Sequence, residues 1–243
     1  MRPGWLVVFA KVPVAGRVKT RLTPPFTPQQ AAAFYRCLLA DALDVSIAAA
    51  RALGLEAVLC VDPAPEIASL VAQAPRGMRA VAQQPGPLDL RMTRAAQQGF
   101  AAGAPFVLLR GSDSPCLGES AIRAAVEALA GADLVICPDR DGGYALVALG
   151  PAAGRAVDAL FEHPMSTPTV LRDTLVHAGR LALRVELLAT GFDVDRFDDL
   201  RWLAAARHAD ASIPCPRTLA FLDEHRLWPA PASPRSASVT TDG

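Results

Sequence analysis

Leu134-Val-Ile-Cys-Pro138, Asp139-Arg-Asp-Gly-Gly143, Tyr144-Ala-Leu-Val-Ala-Leu149: two apolar runs stand on either side of a short polar, glycine-containing break. A parallel connection between neighbouring strands needs a crossover of a dozen or more residues. Asp139 to Gly143 leaves no room for one, so the two runs are expected to be antiparallel neighbours. Outward from this pair, further apolar runs lie at Trp5–Ala10, Leu55–Val61, Met78–Ala82, Phe106–Arg110 and Leu181–Leu187. They are continuous rather than alternating, as expected of strands covered on both faces. Longer Ala- and Leu-rich segments of helical period separate them. This alternation predicts a three-layer α/β sandwich with a mixed, mainly parallel sheet.

Several helices have readable starts. Thr27-Pro28-Gln29-Gln30 places Thr at the N-cap, Pro at the first helical position and Gln where a capping box needs it, opening a helix expected to reach about Ala52, ahead of Gly54. Thr167-Pro168 repeats the device before a helix ending near Gly179. Further helices are expected at Leu88–Ala101, Glu119–Ala130, Phe197–His208 and Pro216–His225. Residues 1–228 read as one domain without an internal repeat or linker. Residues 229–243 are Pro, Ser, Ala and Thr in the main, too poor in apolar surface to order themselves, and read as a disordered tail.

Composition narrows the function. Lys plus Arg and Asp plus Glu are 24 each, so the chain lacks the basic excess expected of a protein that neutralises a long polyanion. Nucleic acid is therefore not an expected partner. The five cysteines form no CxxC and the four histidines have no metal-ligand spacing, which leaves no zinc site to propose. Cysteines scattered in this way, and odd in number, suit a reducing cytoplasm. The run Trp5–Ala10 is too short for a signal-peptide core, and no stretch approaches the roughly 20 apolar residues that span a bilayer.

The polar signals sit where strands end, the usual place for ligands in open α/β sheets. The first is Lys11-Val-Pro-Val-Ala-Gly16-Arg-Val-Lys19-Thr-Arg21-Leu22, a loop in which Gly16 lets backbone approach an anion and the cations neutralise it. A solvated basic loop is the plainer reading, but the position after the first strand favours phosphate. The second is Gly111-Ser-Asp113-Ser-Pro115, where Asp113 at a strand tip suits Mg²⁺, although an Asx turn would use the same residues. The third is Asp139-Arg-Asp141-Gly142-Gly143-Tyr144, a hairpin-turn signal whose second glycine would let backbone amides face a ligand. The fourth is Asp193-Val-Asp195, whose carboxylates alternate with apolar Phe192 and Val194 and so share a face; one of them is a candidate second metal ligand. Asp198 and Asp199 complement the start of the following helix.

These blocks carry a resemblance. Phe9-Ala-Lys-x-Pro-x-x-Gly-x-x-Lys-Thr-Arg-Leu22, Gln84-Pro-Gly-Pro-Leu-Asp-Leu-Arg91-Met92, Gly111-Ser-Asp-Ser-Pro115, Asp141-Gly-Gly-Tyr144, Ser166-Thr167 and Asp193-Val-Asp195 resemble, in order, the blocks of bacterial GT-A-superfamily proteins of the arsenosugar-biosynthesis-type glycosyltransferase family. More distantly the chain is similar to phospholactate guanylyltransferase and the molybdenum-cofactor nucleotidylyltransferases. Met165 stands where relatives often carry Trp, and Arg196-Phe197 where they usually carry Thr-Pro. The resemblance spans about residues 5–226 and implies the GT-A (nucleotide-diphospho-sugar transferase) fold. It also implies nucleotide binding by Lys11, Gly16, Lys19, Arg21 and Arg91, and a catalytic set of Lys19, Arg21 and Asp113. Asp113 and Asp195 would hold Mg²⁺ or Mn²⁺. Asp141, Gly142, Gly143, Tyr144, Ser166 and Thr167 would line the acceptor or nucleotide pocket. The four histidines match none of its motifs.

Two reactions follow. A nucleotidylyltransferase would join NMP from a nucleoside triphosphate to a small anionic acceptor, and the Lys19-Thr20-Arg21 cluster favours it by neutralising a leaving pyrophosphate. A glycosyltransferase would instead take a sugar from an NDP-sugar. A non-catalytic nucleotide-binding protein is the third reading, since a fold does not fix a function. Base, acceptor and any homodimer are left open.

Overall fold

The computed structural model describes residues 2–62, 68, 70 and 76–230. The strands are β1 Trp5–Lys11, β2 Glu56–Asp62, β3 Arg79–Ala82, β4 Val107–Arg110, β5 Leu134–Pro138, β6 Tyr144–Leu149 and β7 Val185–Leu187. They form one sheet in the order β3-β2-β1-β4-β6-β5-β7. β5 and β6 pair antiparallel as the short break requires, with a register shift at Cys137/Pro138. β6 also runs antiparallel to β4, and the remaining pairs are parallel.

The helices are α1 Pro28–Leu53, α2 Leu88–Ala101, α3 Glu119–Ala128, α4 Pro151–Arg155, α5 Val157–Leu160, α6 Val170–Arg180, α7 Leu200–Ala209 and α8 Pro216–His225. At α1 the capping box forms as read: Gln30 N–H donates to the Thr27 hydroxyl at 3.1 Å and Thr27 N–H to the Gln30 side chain at 2.9 Å. At α6 the expectation fails. Thr167 and Thr169 hydroxyls bond each other at 3.1 Å, and the helix starts only at Val170. The residues after Phe197 make one 3-10 turn, Phe197–Asp199, before α7. Residues 229 and 230 continue without regular structure, and the rest of the expected tail lies outside the described residues.

Alternation along the strands divides the interior. Trp5, Val7, Leu134, Ile136, Val147 and Leu149 join one core with residues of α2, α5 and α6. Leu6, Leu108, Val135, Leu146 and Ala148 join a second with α1 and α3. Both sheet faces are thus dry, the condition that made the strands read as unbroken apolar runs. A third cluster matters most for function. Leu22, Phe26, Phe34, Val194, Leu200 and Phe221 bring together the loop after β1, α1, α7 and α8 at one end of the sheet. Buried Asp41 of α1 fastens α8 to it, accepting from Thr218 N–H at 2.9 Å and the Thr218 hydroxyl at 2.8 Å.

Candidate active site

From β1 the chain runs to β2 and β3 on one side, while β4 lies on the other. The strand order reverses at β1/β4, and the crevice beyond their carboxyl ends is where such sheets take ligands. Two of the four loops meet there by construction. The loop after β1 carries Lys19, and the loop after β4 carries Asp113.

Apolar anchors bring the other parts in. Val18 and Leu22 are buried on either side of Lys19. Lys19 itself is left-handed, φ 46° and ψ 37°, a conformation that costs a non-glycine residue about 1–3 kcal/mol and concentrates at functional sites. Val194 is fully buried in the same cluster as Leu22, and its N–H donates to the Asp113 carbonyl at 3.1 Å. With Phe192 and Val194 turned to that cluster, Asp193 and Asp195 present the opposite face. Asp199 steadies the segment, its carboxylate accepting from the N–H groups of Asp195 at 3.0 Å and Arg196 at 2.7 Å.

The result is a charged centre. The Lys19 ammonium, almost wholly buried, lies 3.0 Å from Asp113 Oδ2 and 2.7 Å from Asp195 Oδ1. Burial alone would lower its pKa, but the carboxylates of Asp113 and Asp195 outweigh that and hold it above the ordinary lysine value. Burial likewise opposes ionisation of Asp195, and the Lys19 and Arg21 charges reverse the effect, leaving Asp195 below the usual carboxylate range. Arg21 is exposed, 3.9 Å from Asp195. Two carboxylates from distant parts of the chain therefore already surround one cation. Mg²⁺ asks for such a donor set, one or two carboxylates with the rest of its shell left to phosphate and water. Among the described residues no cluster of three or more His, Cys, Asp or Glu offers a closed metal cage.

Beside this centre lies an acidic pair that the sequence reading did not isolate. Asp193 accepts a hydrogen bond from the Ser114 hydroxyl. Burial first, then the charges of Asp113 and Asp139, push its pKa well above the ordinary value. Asp139, at the end of β5, is also raised, by burial first; one oxygen accepts from Asp141 N–H at 3.1 Å and the other is buried, with the Asp193 carboxyl as its neighbour. Asp139 stands in the quoted break, but the Asp-Gly turn signal beside it drew the reading. Only the bridge between Asp139 and Gly191, in which Gly191 N–H donates to the Pro138 carbonyl at 2.8 Å, brings it to the site. Beneath lies Arg110, buried at the tip of β4 and lowered to about 10 by that burial.

The remaining sequence candidates divide. Lys11 is exposed, and its N–H donates to Tyr35 Oη at 2.9 Å, which in turn bonds the Ser112 hydroxyl at 2.8 Å. Gly16 turns the loop with φ 78°. Arg91 sits further along the crevice, donating to Asp62 at 2.9 Å and Gln83 at 2.7 Å beyond β2 and β3. Asp141 lines a cleft with Asp139, Asp193 and Asp195. The two glycines differ from expectation. Gly142 N–H is taken by the Asp139 carbonyl at 3.3 Å and Gly143 N–H by Asp141 Oδ1 at 2.8 Å, so neither amide is offered to a ligand. Gly142 has φ 91°, and a Cβ there would lie 2.0 Å from the Pro168 carbonyl oxygen. The Ser166-Thr167 block is thus packed on the turn through Pro168. Tyr144 points into the core, its hydroxyl toward Met165 sulfur at 3.9 Å, rather than into the cleft.

A sheet of this order, with a cation-lined loop after its first strand, defines the nucleotide-diphospho-sugar transferase type of fold. The chain belongs to the family described as "Uncharacterized protein conserved in bacteria (DUF2064)", whose model matches residues 43–167. A crystal structure from Desulfovibrio desulfuricans G20, provisionally named a nucleotide-diphospho-sugar transferase, is 29% identical, covers 93% of this chain and 96% of its own, and superposes with a TM-score of 0.81. A cytidylyltransferase from Leptospira borgpetersenii (11% identity, 93% and 95% covered, TM-score 0.54) shares the fold. So does 4-diphosphocytidyl-2C-methyl-D-erythritol synthase from Anaerococcus prevotii (12%, 85% and 96%, TM-score 0.53). No curated protein matches the chain. No helix among the described residues is long and apolar enough to cross a membrane.

Proposed function

We propose that the chain is a divalent-cation-dependent transferase that takes a nucleotide at the loop after β1 and moves its nucleotidylyl group to a small anionic acceptor. The observation that carries this reading is the Lys19 ammonium held between Asp113 and Asp195 at 3.0 and 2.7 Å. Those carboxylates would hold Mg²⁺ or Mn²⁺, which when bound polarises a phosphate oxygen. Lys19, released from them, would reach the phosphates with Arg21, while the loop at Gly16 brings backbone close to the anion. The Lys19-Thr20-Arg21 cluster favours a triphosphate, because it can neutralise a leaving pyrophosphate. Attack by the acceptor on the α-phosphorus would break its bond to the bridging oxygen, and pyrophosphate would leave toward Lys19 and Arg21 with the electron pair. Positioning and electrostatics supply most of the rate in such transfers. Arg91, hydrogen-bonded to Asp62 and Gln83, would border the nucleoside end.

Glycosyl transfer from an NDP-sugar is the second reading, favoured by the 29% identity to the Desulfovibrio protein. Thermal shift with nucleoside triphosphates and NDP-sugars, with and without Mg²⁺, separates the two. A ligand at 100 times its Kd stabilises by about 2.7 kcal/mol. The expected result is a Mg²⁺-dependent rise with a triphosphate; a rise with sugar nucleotides alone overturns the nucleotidylyl reading.

A further inference from the structure

Next to the Lys19 centre, and apart from the phosphate loop, a cleft of about 330 Å³ opens between the β5–β6 turn, the Asp193–Asp195 segment and the outer side of α7. Part of its lining is basic and aromatic. The Arg140 guanidinium lies 4.1 Å from the centroid of the Trp202 ring and that of Arg201 lies 4.9 Å from it. Both arginines and the ring line the cleft. Five aspartates, Asp139, Asp141, Asp193, Asp195 and Asp199, line it too, yet neither guanidinium comes within 4.0 Å of a carboxylate among the described residues. Two like charges are therefore gathered on one ring, neither of them in an ion pair among the described residues. Cation–π contact of this kind orients a guanidinium without using its N–H fork, and that planar fork matches carboxylate and phosphate geometry. The two kinds of group set the polarity of the opening: an anionic end is drawn to the arginines, while a hydroxyl end can approach Asp193 and Asp195 as a donor.

We infer that Arg140, Arg201 and Trp202 form the anion clamp of the acceptor site, and that the acceptor is a small molecule with a phosphate or carboxylate at one end and a hydroxyl at the other. The clamp holds the anionic end, so that the hydroxyl lies on the Asp193–Asp195 side, next to the phosphate centre. This inference rests on the proposed transferase reading for what the acceptor meets there, but the clamp itself is a binding site and is tested as one.

The test is isothermal titration of the full chain with glycerol 3-phosphate, glycerol and pyrophosphate, each in the presence of Mg²⁺, for wild type and for the double variant Arg140→Ala/Arg201→Ala. Both side chains are exposed, so the double variant keeps the fold, which its melting curve verifies. The expected result is glycerol 3-phosphate binding in wild type, at least tenfold weaker in the double variant, with pyrophosphate binding within twofold of wild type. Pyrophosphate and glycerol 3-phosphate should also bind together, not in competition. Unchanged glycerol 3-phosphate affinity in the variant overturns the clamp. Equal binding of glycerol overturns it in favour of a polyol site, and displacement by pyrophosphate overturns it in favour of the phosphate loop. If pyrophosphate fails to bind while glycerol 3-phosphate binds through the arginines, the clamp stands and the transferase reading falls.

Discussion

Lys19 is a buried ammonium on a left-handed backbone whose two hydrogen-bond partners are the residues best suited to hold a metal. Under the proposed function it would compete with that metal for Asp113 and Asp195, and nucleotide phosphates would relieve the competition by taking the ammonium. Replacing Lys19 with Met should therefore act in opposite directions on two affinities. Mn²⁺ alone should bind the variant roughly tenfold more tightly, and Mg²⁺–triphosphate at least roughly tenfold more weakly, since charge-assisted bonds contribute about 1.5–3 kcal/mol. Calorimetric titration reads both, and loss of Mn²⁺ binding in the variant would show that Lys19 builds the metal site instead of occupying it. Asp139 gives a stability test. Its pKa is raised, so the folded state favours the protonated acid, and wild type loses stability as pH climbs from the ordinary carboxylate range near 4 through the raised value. Asp139→Asn keeps an acceptor for Asp141 N–H and removes the charge. The variant should melt about 2–4 °C higher at pH 7, a gain on the order of 1 kcal/mol, and the gain should shrink toward pH 4. A variant that melts lower at pH 7 contradicts burial of an unfavourable charge at Asp139.

At the scale of elements, the third apolar cluster sets the site. Leu22 anchors the loop that carries Lys19 and Arg21, as Val194 anchors the segment that carries Asp195. Leu22→Ala should cost about 2–5 kcal/mol, as truncation of a fully buried leucine does. Leu6→Ala, equally buried but in the core under α1 and α3, is the control. Both variants should melt lower, and only Leu22→Ala should weaken triphosphate binding of the folded protein; equal Kd values would separate the cluster from the site. The β5–β6 turn makes a second case. Gly142→Ala puts a methyl 2.0 Å from a backbone oxygen at φ 91°. A loss of at least about 2 kcal/mol should appear in the melting curve, and an unchanged curve would contradict the packing of the turn on Pro168. These elements also mark where the sequence was legible. The five-residue break settled the direction of β6, the Thr27 box settled the start of α1, and the alternation around Val194 settled the facing of Asp193 and Asp195. The second glycine of the turn misled, because a glycine kept for close backbone packing and one kept for a ligand are spelled alike. Thr167-Pro168 misled for a related reason: its hydroxyl found Thr169 before it found a helix amide.

For the molecule as a whole, the strand order placed the crevice at β1/β4, and the four polar loops fell at or near one end of the sheet. What no sequence pattern gave was the pairing across the cleft. Asp139 reaches Asp193 only because β5 ends beside Gly191, and Arg140 meets Trp202 across 62 positions of chain. The family model covers residues 43–167, which includes Asp113 but neither the Lys19 loop nor Asp195. The proposed chemistry needs those three residues acting together. Crystals soaked with Mn²⁺ and a non-hydrolysable nucleoside triphosphate test it most directly, through the anomalous signal of the metal. The predicted result is a peak about 2 Å from carboxylate oxygens of both Asp113 and Asp195, with the Lys19 ammonium moved onto a phosphate oxygen. A nucleotide and metal bound elsewhere, with Lys19 still bridging the two aspartates, would contradict it.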